Sequence, residues 1–158
     1  MLERFGKAST IFFALLLTIR LTGIVGYAAT VGSADRLWQT GTEIEPNDTP
    51  AQANPISINE TITGVIPAAN PSDIDYFVLS AEPGRQYEVR LAESPPATEY
   101  QFRLALYDGM QNLVRESTTQ GGSTSLTWTA VDTTYYFSVQ QTEIGSNDAP
   151  YEIRVVRF

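Results

Sequence analysis

Eight short segments of the chain have strand character, most of them alternating apolar and polar residues, and most are bounded by turn signals of proline, glycine or small polar residues. They run over 61–66, 75–80, 86–91, 101–107, 112–117, 125–129, 133–140 and 151–156. Alternation with a period of two puts one apolar face on a strand, whereas a helix needs a repeat near 3.6 that no stretch after residue 34 sustains beyond two turns. Ile62, Gly64 and Ile66 share one face of the first segment, and Phe77 and Leu79 one face of the second. Tyr87, Val89 and Leu91 follow, then Phe102, Leu104 and Leu106, Leu126 and Trp128, Tyr135, Phe137 and Val139, and finally Tyr151, Ile153 and Val155. Strands with one apolar face must bury it against another sheet, so the expectation is an all-β chain folded as an antiparallel β-sandwich. About a dozen large inward side chains, each contributing about 1.5–3 kcal/mol on burial, suffice to hold such a body without cross-links.

Cross-links are in any case unavailable, because the chain has no cysteine. It has no histidine either, and its single lysine is Lys7. Ser-His-Asp and Cys-His catalysis, zinc sites with nitrogen or sulfur ligands, and Schiff-base chemistry are thereby excluded from the body of the chain. Only carboxylate chemistry is left to an enzyme, and a pair such as Glu88 and Glu116 would have to serve as acid and base of a glycoside hydrolase.

The first 34 residues read differently. Arg4 and Lys7 precede an apolar run from Ile11 that Arg20 interrupts, and small residues follow between Ala28 and Ala34. This is the pattern of a secretory signal peptide, and an arginine in mid-run disfavours a permanent membrane span. Export to the periplasm or the extracellular space is the expectation, with membrane attachment only if residues 1–34 stay uncut. Residues 35–42 read as a linker and 43–158 as the domain. Arg4, Lys7 and Arg20 but only Glu3 lie before residue 35, so the remainder has a formal charge of −10. That balance repels nucleic acid and anionic membranes and leaves extracellular proteins or polysaccharides as partners.

The run Glu43-Ile44-Glu45-Pro46-Asn47-Asp48-Thr49 gathers three carboxylates and an amide where Pro46 forbids a helix. Glu43 and Glu45 project to one side of an extended chain. Such a run is either a solvated acidic linker or part of an oxygen site for a hard cation such as calcium. Asp73 and Asp75 flank Ile74 and share a face, which permits joint coordination but equally suits a solvated pair at a strand start. Asn147-Asp148 reads as a turn. Tyr76, Tyr107 and Tyr136 lie on strands opposite the core residues, either as an aromatic binding face or as ordinary half-buried sandwich residues.

The ordered features Glu-x-Glu-Pro-Asn-Asp at 43–48, Ile62-Thr63-Gly64, Ser72-Asp73-Ile74-Asp75-Tyr76-Phe77, Leu104-x-Leu106-Tyr107-Asp108 and Thr134-Tyr135-Tyr136-Phe137 together resemble the bacterial pre-peptidase C-terminal domain. That module is appended to many secreted proteases and is similar to the collagen-binding domain of clostridial collagenases. The resemblance implies a jelly-roll-like sandwich without catalysis. It also implies a structural calcium site, with Glu43, Glu45, Asn47 and Asp48 matching one group of ligands and Asp73 and Asp75 the other. Calcium-binding members often carry a further acidic residue where Ser72 stands here.

Overall fold

The alternation read from the sequence reappears as alternating burial along the strands of the computed structural model, except over 113–118, which is exposed along nearly its whole length; the structure describes residues 39–95, 100–120, 122–143 and 147–158. The expected signal segment 1–34 and residues 35–38 of the expected linker lie outside the described residues. Ten strands form among the described residues: β1 (Gln39–Thr42), β2 (Asn54–Pro55), β3 (Glu60–Ile66), β4 (Ile74–Ser80), β5 (Gln86–Glu93), β6 (Phe102–Tyr107), β7 (Leu113–Thr118), β8 (Ser123–Thr129), β9 (Thr134–Gln141) and β10 (Ala149–Arg157). One sheet has the order β1-β3-β10-β5-β8 and the other β2-β4-β9-β6-β7.

Between the sheets lies the core. Phe77, Leu79, Tyr87, Leu91, Phe102, Leu104, Phe137, Tyr151 and Ile153 are all buried, as their places in the alternating segments required. Aromatic side chains hold its centre, with Trp128 stacked on Tyr87 at 5.4 Å between ring centroids and edge-on to Phe137 at 5.6 Å. Pairs of this geometry add attraction beyond the area they bury. A buried tyrosine must also place its hydroxyl. At one end of the sandwich Tyr87 and Tyr135 accept the backbone N–H groups of Glu82 and Val131, both at 2.8 Å.

The sheets are mixed where a wholly antiparallel arrangement was expected. The outermost pairs, β1 with β3 and β2 with β4, are parallel, and both added strands are short and lack an alternating pattern. Their order comes from long-range backbone pairing, such as Gln39 opposite Glu60, so local pattern could not announce them. The last four residues of the expected linker are thus part of a sheet. The consequence for function is positional: the acidic run after β1 must cross from the edge of one sheet to the edge of the other, where β2 begins.

Candidate metal centre

Crossing between sheet edges, residues 43–53 lie outside any continuous strand ladder, and single contacts tie their backbone down. Asn54 provides one set, its side-chain amide donating to the Ile44 carbonyl at 2.9 Å and accepting from the Ile44 N–H at 2.5 Å. The Asn47 carbonyl accepts from the Tyr76 N–H at 2.9 Å, and Glu43 bonds back to β3 through its own N–H to the Thr63 carbonyl at 3.0 Å. The acidic run is therefore laid along the start of β4, where Asp73 and Asp75 stand. Ile44 points outward and is 74% exposed, while its neighbours Glu43, half-buried, and Glu45, exposed, both carry their carboxylates toward Asp75.

Glu43, Glu45 and Asp75 each present a carboxylate oxygen within 4.8 Å of the others. Asn47 and Asp75 are fully buried beside them, and Asp73 nearly so. The Asn47 side chain can face the group either way. With nitrogen toward it, the amide donates to Glu45 Oε2 at 3.0 Å and Asp75 Oδ1 at 3.2 Å. With oxygen toward it, a fourth acceptor joins three carboxylates, and either a proton on one carboxyl or a cation reconciles such a set.

Sequence reasoning missed Tyr151 as a member of this site. Its hydroxyl lies 2.7 Å from Glu43 Oε2 and 2.5 Å from Asp75 Oδ2, at the opposite end of the core from the other two tyrosine hydroxyls. A phenol carries one proton and can donate to one of these oxygens only, so the other contact requires a proton on the carboxyl or a cation nearby. Burial, with the Glu43 and Asp73 carboxylates alongside, pushes the Asp75 carboxyl up to about 9. Burial likewise pushes Asp73 up to about 6, with Asp48 and Glu45 beside it. The Tyr151 hydroxyl is driven well above its ordinary range by burial and then by Asp75 and Glu43.

The signal that could have found Tyr151 is Gly64, its cross-strand partner in the middle of β3. A glycine inside a strand marks a close approach. A Cβ there would lie 2.3 Å from the Tyr151 hydroxyl oxygen and ring, and 2.7 Å from Glu43 Oε2. The missing side chain is the space in which the ring and the carboxylate meet. Glu43 is fixed further by the Val65 N–H, which donates to its Oε1 at 2.6 Å.

Of the six residues expected to hold a metal, Glu43, Glu45, Asn47 and Asp75 converge on one point, while exposed Asp48 stands against Asp73 beside it. Ser72 turns away, its hydroxyl donating to Asn70 Oδ1 at 3.2 Å. Every donor in the group is an oxygen, the preference of a hard cation, and oxygens bound to one calcium at about 2.3–2.6 Å lie no more than about 5 Å apart. The residues present fit that ion.

Tyr76, Tyr107 and Tyr136 share the outer face of the second sheet. Tyr136 is registered between Val78 and Tyr107, and Tyr76 lies one row away with its ring 6.3 Å from that of Tyr107. All three are half-buried, and Tyr107 reaches Ser138 Oγ at 3.4 Å. Glu88 and Glu116, the pair a hydrolase would need, point outward from different sheets and are paired with Arg90 and Arg103, at 2.7 and 3.0 Å. They cannot flank one substrate bond.

A solved structure of the pre-peptidase C-terminal domain of a collagenase from Bacillus anthracis superposes with a TM-score of 0.54 at 21% identity, covering 69% of this chain and 99% of that one. The chain has the fold of a pre-peptidase C-terminal domain. The likeness read from ordered motifs therefore holds at the level of three-dimensional structure. The periplasmic inhibitor of g-type lysozyme from Aeromonas hydrophila superposes at a TM-score of 0.50 and 12% identity, covering 76% of this chain and 98% of that one. No family model and no curated protein matches the sequence. Among the described residues no helix is long and apolar enough to cross a membrane.

Proposed function

We propose that the protein is an exported, non-catalytic binding module whose N-terminal segment is clamped onto the sandwich by a calcium ion. The observation that carries this reading is the convergence of Glu43, Glu45 and Asp75 within 4.8 Å, with the Asn47 amide against them. Three carboxylates at that separation repel one another, and a divalent ion converts the repulsion into attraction between two sheet edges. Extracellular calcium modules bind at about 0.1–1 mM, so at ten times the dissociation constant the ion adds about 1.4 kcal/mol, roughly 5 °C in melting temperature. Melting the protein in calcium and in chelator tests this, and identical curves defeat the metal reading.

Binding is assigned to the outer face that holds Tyr76, Tyr107 and Tyr136, since half-exposed tyrosines give rigid contact area together with a hydroxyl. The partner on this reading is an extracellular polymer or protein. Sedimentation with insoluble collagen, cellulose and peptidoglycan discriminates among polymers, and a protein left wholly in the supernatant argues for a protein partner instead. N-terminal sequencing of the exported protein separates a released module from one held at the envelope by residues 1–34.

A further inference from the structure

The outer face of the other sheet carries a different chemistry. Its strands register Thr61 opposite Arg154, Arg154 opposite Arg90, and Arg90 opposite Ser125, which makes one row of hydroxyl, guanidinium, guanidinium, hydroxyl across β3, β10, β5 and β8. Four strands at about 4.8 Å spacing give the row a length of about 14 Å. Like charges placed directly across two strands cost stability. Burial and the adjacent Arg90 accordingly push Arg154 below its ordinary range. This juxtaposition stands in a chain whose formal charge is −8.

Space for a ligand exists on both sides of Arg90, because Ala92 next to it has only a methyl group. A shallow hollow of about 170 Å³ lies over Thr61, Arg90, Ala92, Glu152 and Arg154. A second, of about 370 Å³, shares Arg90 and Ala92 and extends to Ser123 and Ser125. Two carboxylates border the row: Glu88 accepts from Arg90 Nη2 at 2.7 Å, which occupies one end of that guanidinium, and Glu152 accepts from Ser94 at 3.0 Å. Their charge still shapes the site, because carboxylates at its border disfavour a phosphate dianion more than they disfavour a carboxylate. Arginine forks grip carboxylates in two-point fashion, and the flanking hydroxyls suit the hydroxyls of a sugar.

We infer that the Arg90–Arg154 row is a binding site for a carboxylate-bearing polysaccharide, a uronate chain lying across β3, β10, β5 and β8. The site is on the opposite sheet from the tyrosine face and does not depend on it. Retention of the full-length protein on immobilised polygalacturonate at low ionic strength, with calcium held constant, tests the assignment, with neutral dextran and poly-glutamate as the other two matrices. Polygalacturonate alone should retain the protein. Arg90→Gln and Arg154→Gln should each weaken binding about ten-fold or more, as loss of a charge-assisted hydrogen bond does. Arg115→Gln, on the other sheet, should leave it unchanged. Should Arg154→Gln fail to fold, Arg154→Lys keeps the stem and loses the fork, and weakened binding is again expected. Absence of retention, wild-type retention by Arg90→Gln and Arg154→Lys, or stronger retention on poly-glutamate would each overturn it.

Discussion

Replacing Gly64 with alanine would place a methyl carbon 2.3 Å from the Tyr151 ring and hydroxyl oxygen and 2.7 Å from Glu43 Oε2. Carbon atoms in ordinary contact sit about 3.5–4.0 Å apart, so the overlap exceeds an ångström. Tyr151 cannot retreat, being fully buried and packed edge-on against Phe77 at 6.5 Å and Phe102 at 5.7 Å. Overpacking of a filled core costs about 1–3 kcal/mol, and displacing the hydroxyl from a charged partner costs a further 1.5–3 kcal/mol or so. A loss of about 3–5 kcal/mol follows, which for a body of this size lowers the melting temperature by more than about 10 °C. Thermal unfolding by circular dichroism, with and without calcium, measures both consequences, because a displaced Glu43 should also abolish the calcium response. Tyr151→Ala removes the obstacle, so its cost and that of Gly64→Ala should be strongly non-additive. A Gly64→Ala protein that melts within about 2 °C of wild type and still responds to calcium would refute the reasoning.

Tyr151→Phe keeps the ring and deletes the hydroxyl that touches Glu43 and Asp75, so urea unfolding should show a loss of about 1.5–3 kcal/mol, and Tyr136→Phe on the outer face much less. Asp75→Asn replaces a buried carboxyl, which the metal-free fold must protonate at a cost, with a neutral amide, and should raise the melting temperature in chelator while eliminating the increment that calcium gives. The metal-free protein should also lose stability as pH rises. Asp75 is raised from 3.8 to about 9 in the folded state, and a raised carboxyl stabilises fully below its unfolded value and loses that contribution as pH climbs through the folded one. In chelator the melting temperature should therefore fall between about pH 4 and 9, with Asp73 adding to the slope up to about 6. A melting temperature that rises over that interval in chelator contradicts the burial of these groups.

Strand positions and inward faces were legible in the sequence because a period of two survives any context that buries one face. Phe77 and Leu79, or Tyr135, Phe137 and Val139, had no other way to be covered. β1 and β2 were not legible, since four and two residues of mixed character pair in parallel only when the rest of the sandwich offers an edge. The residues of the acidic cluster were legible as an acidic run and an Asp-x-Asp pair, but their division was not: Asp48 goes with Asp73, whereas Glu43 and Glu45 go with Asp75. Tyr151 escaped notice because its alternation marks it only as a core residue. Gly64 held the missing information, as an interruption in an apolar face that a neighbouring ring fills. Asn54 had no sequence signature, since its side chain pairs with the backbone N–H and carbonyl of one distant residue, Ile44.

The claim at the centre is that an ion fastens residues 43–53 to the sandwich, and amide hydrogen exchange in calcium and in chelator reads it residue by residue. Calcium should slow exchange of the Val65 N–H, which donates to Glu43 Oε1, and of the Tyr76 N–H, which donates to the Asn47 carbonyl, while core amides such as that of Phe137 change little. Equal exchange at Val65 and Tyr76 in both conditions would contradict it.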